Sequence, residues 1–226
     1  MDLVLVHGST QSPSGWGRLA EQLTARGHRC VAVDLPTDAP DLTASEYAAI
    51  AAEQAAGLTA PVAVGHSLAG LLLPAIGRAV GAQHLLWLGT LIPDILGGRT
   101  ALEQIRADSL EMFTDEWHTW DEDVVAAPAI SAYFLYHDCN VATLRWALQH
   151  LRFFQPSAAL NEAPDAARPD VPSTFVVPAD DRTVRADWMR SAARERLDAE
   201  VIDVPGGHCP HVSRPGQIAD IVDALR

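Results

Sequence analysis

Three residue types at wide spacing could together open a carbonyl bond: Ser67, a carboxylate at Asp180 or Asp181, and a histidine at His208 or His211. A serine hydroxyl is a weak nucleophile at neutral pH and needs a base to take its proton during attack. Histidine suits that task because its pKa lies near operating pH. A carboxylate must then fix the imidazole tautomer and stabilise the imidazolium that forms. Ser67 lies in Pro61-Val-Ala-Val-Gly-His-Ser-Leu-Ala-Gly-Leu-Leu-Leu73, where a short β-branched run meets small residues and then an apolar run over 71–80 with helical character. Strand, abrupt turn and helix, with serine at the turn, is the setting of a nucleophile held in strained backbone angles. Its neighbours must be small so that strand and helix can approach. Gly65 meets that need two positions before Ser67, with His66 between them. Two positions after, Ala69 stands where glycine is usual, and Gly70 follows. Outside this setting Ser67 would read as an ordinary helix N-cap.

The base sits in Pro205-Gly-Gly-His-Cys-Pro-His-Val212. Two preceding glycines leave the loop free to aim the ring of His208, which favours it over His211. The carboxylate comes from Pro178-Ala-Asp-Asp-Arg-Thr-Val184, directly after an apolar run. Adjacent residues leaving a strand point in different directions, so only one of Asp180 and Asp181 is expected to face the histidine loop. Negative charge on the substrate oxygen needs donors as well. The N–H of Leu68, next to the nucleophile, supplies one. The N–H of Ser9 is expected to supply the second, from the loop His7-Gly8-Ser9-Thr10, where Gly8 lets the backbone come close. The plain alternative for Gly8 is a strand-to-loop turn. His137-Asp138 also has acid–base types side by side, but reads as making a cap-stabilising hydrogen bond.

These residues work together only if the fold brings them to one edge. Runs at 3–6, 30–33, 62–64, 84–88, 174–177 and 200–204 read as strands, those at 30–33 and 174–177 as buried ones. They alternate with helical stretches near 16–27, 43–56, 71–80, 188–197 and 216–225. That alternation signals a mostly parallel sheet of about six strands covered by helices on both faces. Catalytic groups in such sheets sit at the carboxyl ends of strands, where His7, Ser67 and the loop after Leu88 fall. The alternation stops over 93–169, a helical stretch holding Met112, Phe113, Trp117, Trp120, Tyr133, Phe134, Tyr136, Trp146, Phe153 and Phe154. We expect a helical cap inserted into a single structural domain, whose core is 1–92 and 170–226. Most of these aromatics should form the cap's own core, and a minority should line an apolar pocket.

Composition narrows the chemistry. With 226 residues, 48% of them hydrophobic, the chain can bury the core of one α/β domain. A formal charge of -13 argues against nucleic acid and anionic membrane as partners, since both call for basic patches. All basic residues are arginine, so Schiff-base chemistry and phosphate-cradling lysine loops are excluded. Cys30, Cys139 and Cys209 are odd in number and form no C-x-x-C pair, which predicts reduced thiols in a cytoplasmic protein. No signal peptide and no apolar run of the ~20 residues needed to span a bilayer is expected. No H-E-x-x-H or clustered Cys/His set points to a metal.

On these motifs the chain resembles the α/β-hydrolase superfamily over essentially its full length. More narrowly it resembles the small branch of plant methyl esterases, the related hydroxynitrile lyases and many bacterial esterases. The matching features are His7-Gly8 with Trp16 downstream, Gly65-His-Ser-Leu-Ala-Gly70, and Leu91-Ile-Pro-Asp94 entering the cap. Tyr136-His-Asp138, Asp181-x-x-Val184 ahead of Trp188, and Gly207-His208 with Pro215 also match. Ala69 departs from the pattern, and the family's first two strands are absent. The resemblance implies a helical cap, a triad of Ser67, Asp181 and His208, hydrolysis of small or aromatic carboxylic esters, and no metal or organic cofactor. The family's spacing of acid to apolar position selects Asp181 over Asp180. The related lyases need a lysine beside the catalytic histidine and a threonine where Gly8 stands; here Cys209 follows His208 and there is no lysine. A receptor with little turnover, a C–C hydrolase and a perhydrolase could carry the same triad. The expected partner is a small-molecule ester, and the oligomeric state is left open, a homodimer included.

Overall fold

The computed structural model describes residues 1–119 and 124–225. Among these residues, six strands form one parallel sheet: β1 (Asp2–Val6), β2 (Arg29–Val33), β3 (Val62–His66), β4 (His84–Leu88), β5 (Ser173–Pro178) and β6 (Glu200–Val204). Their order across the sheet is β2-β1-β3-β4-β5-β6. The chain steps from β1 to one side, then crosses to β3 on the other. Ligands in open parallel sheets bind at such a reversal, beyond the carboxyl ends of the strands. Register aligns Val6 with Gly65 and Gly65 with Trp87, so the ends of β1, β3 and β4 lie side by side.

The helices of the described residues are, in chain order, α1 (Gly17–Ala25), α2 (Ala44–Gln54), α3 (Leu73–Ala79), α4 (Ala101–Met112) and α5 (Pro128–Leu135), then α6 (Val141–Leu148), α7 (Ser157–Leu160), α8 (Ala186–Leu197), α9 (Pro210–Ser213) and α10 (Pro215–Ala224). Alternate residues of each strand face opposite layers. Leu3 and Leu5 pack with Leu19 and Leu23 of α1 and with Ile218 and Val222 of α10. Val4 and Val6 pack on the other side with Tyr47 and Ala51 of α2 and Ile76 of α3. Further along that side, Trp87 and Phe175 meet Met189 and Ala193 of α8. Burial on both faces is why the central strands are continuous apolar runs, not alternating ones. The edge strand β2 differs from expectation. In β2 only Val33 is fully buried, while Cys30, Val31 and Ala32 are half-buried, because an edge strand has one neighbour and thinner helix cover.

The helical run expected over 71–80 is split. A 3-10 turn, Ser67–Leu71, comes first, and α3 starts at Leu73 with Pro74 in its first turn. Proline is tolerated there because the N–H groups of the first turn have no helical partner. Between β4 and β5 lie α4–α7, and the described residues there add no strand to the sheet. Capping boxes set two helix starts, Thr43 with Glu46 for α2 and Thr100 with Glu103 for α4. Ile130, Phe134, Tyr136 and Ala147 from this segment pack with Cys209 and Val212. The aromatics divide unequally: Phe154 joins the core around Tyr47, Phe153 is exposed, and Trp120 lies outside the described residues. Among the described residues no helix is long and apolar enough to cross a membrane.

Candidate active site

Ser67 follows directly after β3 and has φ +55°, the left-handed region that L side chains rarely occupy. The turn throws its side chain off the end of the strand, where it stays half-buried and reachable. Close packing around the turn explains the small residues. A Cβ at Gly8 would come 2.7 Å from Ser67 Cβ and 2.8 Å from the His66 carbonyl. A Cβ at Gly70 would come 2.0 Å from the Leu91 carbonyl. The strict demand for glycine therefore falls at 8 and 70. Position 69 tolerates alanine, whose methyl is fully buried among Leu72, Ile76 and their neighbours.

The loops after β3, β5 and β6 bring three side chains together. The Ser67 hydroxyl lies 3.0 Å from His208 Nε2. His208 Nδ1–H donates to Asp181 Oδ2 at 2.7 Å. Both the imidazole and the carboxylate are almost wholly buried. Burial alone would raise the Asp181 pKa; the His208 charge and hydrogen bonds from His208 and Thr183 outweigh it, and the net shift is downward. Thr183 was not singled out from the sequence. Its hydroxyl donates to Asp181 Oδ1 at 2.7 Å, and its oxygen lies 2.8 Å from His208 Nδ1. The N–H groups of Thr183 and Val184 donate to the same Oδ1, at 2.7 and 3.2 Å. The signal was a hydroxyl residue two places after the acid, the spacing of a local side-chain-to-backbone turn.

Asp180 does not point away from the histidine loop, as strand alternation suggested. Its Oδ2 accepts the Gly206 N–H at 2.9 Å, and its own N–H donates to the Gly206 carbonyl at 3.0 Å. The chain has already left the strand there, so the period of two no longer applies. Asp180 thus holds the loop's backbone while Asp181 holds the ring. His137 Nε2–H donates to the Asp180 carbonyl at 3.0 Å, and Asp138 lies 3.7 Å from Arg214 Nε. Among the described residues neither contacts Ser67 through a hydrogen bond.

Behind His208 lies a buried polar cluster. His66 Nε2–H donates to the His208 carbonyl at 2.9 Å, and the His66 and His211 rings lie 4.4 Å apart. His211 Nε2–H donates to Gln11 Oε1 at 2.9 Å. Gln11 in turn donates to Tyr136 and Cys209. Burial, followed by the neighbouring His208 charge, pushes the His66 pKa down to about 3. Burial and the nearby His66 hold His211 well below its usual value too. Both rings therefore stay neutral near pH 7. The Cys209 thiol is pushed well up by burial and stays protonated.

On the other side of Ser67, the space a Gly8 side chain would fill is 3.4 Å from the Leu68 nitrogen. Among the described residues neither the Ser9 N–H nor the Leu68 N–H meets an acceptor of the chain. The loop carrying Ser9 is held from the segment after α6: Phe154 N–H donates to the Ser9 carbonyl at 2.8 Å, and Gln11 forms an antiparallel bridge with Leu151. A cavity of about 130 Å³ lined by Leu71, Pro74, Pro93 and Ala159 includes no member of this group. Among the described residues no cluster of His, Cys, Asp or Glu could hold a metal ion.

An all-parallel sheet of this order, with a serine on a left-handed turn beside a buried histidine–aspartate pair, is the architecture of an α/β-hydrolase. The chain belongs to the alpha/beta hydrolase family, whose model matches residues 3–221. Its fold is shared with polyneuridine aldehyde esterase, at TM-score 0.76 and 19% identity over 99% of this chain and 98% of that one. A pyrethroid hydrolase from Sphingobium faniae superposes at TM-score 0.77 with 18% identity, covering 100% of this chain and 96% of that one. A mutant of tomato methylketone synthase I gives TM-score 0.76 and 20% identity over 99% and 96%. No curated protein matches the chain by sequence.

Proposed function

We propose that the chain is a serine hydrolase that cleaves small or aromatic carboxylic esters through an acyl-enzyme intermediate. One observation carries the reading: the continuous chain of contacts from Asp181 through His208 to Ser67, 2.7 and 3.0 Å long, ending on a half-buried hydroxyl. In the proposed reaction Ser67 Oγ attacks the acyl carbon as His208 Nε2 takes its proton. Asp181 keeps the remaining His208 proton on Nδ1 and stabilises the imidazolium. The N–H groups of Leu68 and Ser9 receive the developing oxyanion; losing one such donor typically costs roughly 3–4 kcal/mol. Collapse expels the alcohol, which takes the proton from His208. Water, deprotonated by the same imidazole, then attacks the acyl carbon and releases the acid and free Ser67. Residues 93–169 act as the cap, and the esterase and hydrolase names of the structural relatives agree with this class.

The position of Gly8 supports ester hydrolysis over cyanohydrin cleavage. A threonine there, as in the related lyases, would drive its Cβ into Ser67 Cβ and the His66 carbonyl. No ammonium stands beside His208 to meet departing cyanide, since Cys209 follows it and the chain has no lysine. The test is a panel of chromogenic esters graded by acyl length, run beside mandelonitrile and acetone cyanohydrin. We expect turnover of short or aromatic esters and cyanohydrin decomposition no faster than in buffer. Rapid, Ser67-dependent cyanide release with negligible ester turnover would sink the reading.

A further inference from the structure

His7 is fully buried at the end of β1, one residue before the glycine that packs on the nucleophile turn. Its Nδ1 lies 3.0 Å from the Gly8 carbonyl. A carbonyl only accepts, so the His7 proton must sit on Nδ1 for that bond to exist. The other ring nitrogen, Nε2, faces two donors: Arg152 Nη2 at 3.1 Å and the Leu35 N–H at 3.4 Å. Arginine has no acceptor and keeps its charge, so it can meet only an unprotonated nitrogen. With the proton moved to Nε2, three donors would face one another, and two lone pairs would meet at the Gly8 carbonyl. Arg152 is held in place by Asp34 Oδ1 at 2.6 Å and by the Leu35 carbonyl at 3.3 Å. Burial, with a smaller contribution from the Arg152 charge, also brings the His7 pKa down to about 4, so the ring stays neutral.

The bond to Gly8 matters because the Gly8 carbonyl and the Ser9 N–H belong to one peptide unit. In a trans peptide they point in opposite directions, and no cis peptide occurs among the described residues. Fixing the carbonyl toward His7 therefore fixes which way the Ser9 N–H points. The next two carbonyls are taken by the segment that carries Arg152, with Phe154 N–H donating to Ser9 and Arg152 N–H to Thr10. We propose that Arg152 is a positioning residue for the oxyanion donor: by holding the His7 proton on Nδ1 it sets the face of the Gly8–Ser9 peptide. The proposal rests on the ester-hydrolase reading, in which Ser9 N–H binds the oxyanion. It assigns part of transition-state stabilisation to a residue far along the chain, on the segment after α6. Arg152 is not itself expected to touch substrate.

The test combines histidine-selective 15N NMR of the ring nitrogens with ester kinetics on wild type, R152K and R152M. Wild type should show His7 as the Nδ1–H tautomer. R152M leaves Nε2 only the long bond from Leu35, so a mixture of tautomers should appear and kcat should fall about tenfold with KM within twofold. R152K keeps a cation that can donate, and should hold the wild-type tautomer and lose less than about threefold. A merely structural arginine would change melting temperature without moving the His7 tautomer. An Nε2–H tautomer in wild type would overturn the proposal, as would a folded R152M with wild-type kcat. If R152M does not fold, R152K decides: wild-type tautomer with near wild-type kcat supports the proposal, and a changed tautomer with unchanged kcat overturns it. A wild type that neither hydrolyses esters nor reacts with a fluorophosphonate fails the ester-hydrolase reading itself and the proposal with it. An active wild type with an indifferent R152M fails the proposal alone.

Discussion

Replacing Thr183 with valine removes a hydroxyl while nearly keeping the shape of a side chain that is only 3% exposed. The hydroxyl is one of three donors to Asp181 Oδ1; the N–H groups of Thr183 and Val184 remain. A hydrogen bond to a charged group is worth about 1.5–3 kcal/mol. With two donors left in place, the lower end applies, about 1.5 kcal/mol, close to one factor of ten in rate. The mechanism of the loss is specific. Asp181 would lose one of the bonds that hold its pKa down, and His208 Nδ1–H would lose the second oxygen at 2.8 Å. The imidazolium formed during attack is then less well stabilised, so kcat should fall with little change in KM. The assay is steady-state hydrolysis of a chromogenic ester by wild type, T183V and T183S, with thermal melts of each. T183S restores the hydroxyl and should recover most of the rate. Wild-type kcat in folded T183V would refute the reasoning, and so would a fall of four orders, which would mean that Thr183 alone fixes the tautomer.

Asp181→Asn should lower kcat by roughly 10⁴ through loss of the correct His208 tautomer, whereas Asp180→Asn, which only weakens the grip on Gly206, should cost far less; the reverse order in purified, folded variants contradicts the assignment. Gly70→Ala should destabilise by about 3 kcal/mol or prevent folding, because the new methyl meets the Leu91 backbone carbonyl, while Ala69→Gly should stay within about 1 kcal/mol; urea titrations decide, and a benign Gly70→Ala would be the failing result. His7, His66 and His211 are all buried with pKa values pushed down by burial, His7 to about 4 and His66 to about 3. Unfolded histidines titrate near 6.5, so unfolding takes up protons below that pH, and stability is present above it and lost as pH falls toward 4. Urea unfolding between pH 7 and 4.5 should show uptake of up to about three protons, and a flat profile across that window would show that these rings are charged or exposed.

Much of the sheet was legible because its central strands are buried on both faces and read as unbroken apolar runs, as at Leu3–Val6 and Val62–Val64. The edge strand β2 has similar residues, and its half-burial depends on which strand lies beside it, which composition does not state. Ser67 stood out because a serine between strand and helix needs small neighbours, a demand written locally in the chain. The reason Ala69 is tolerated was not local: it needed the Leu91 carbonyl, 21 residues beyond Gly70, to reveal where the tight contact falls. Thr183 was within reach of a sequence reading, since its bond to Asp181 spans two residues. Arg152 was not, because its link to His7 joins positions 145 residues apart. A still longer separation, 200 residues, hid the Gln11–His211 contact behind His208.

The central claim is that Ser67 is the nucleophile of an acyl-transfer reaction. Intact-mass measurement after exposure to a fluorophosphonate, followed by peptide mapping, tests it most directly. Wild type should gain a single phosphonyl adduct on the peptide holding Ser67, at a rate reduced by prior addition of a slow ester substrate. Ser67→Ala should keep its fold by circular dichroism, gain no adduct and hydrolyse no ester. An unlabelled wild type, an adduct on another residue, or undiminished hydrolysis by Ser67→Ala would contradict the account.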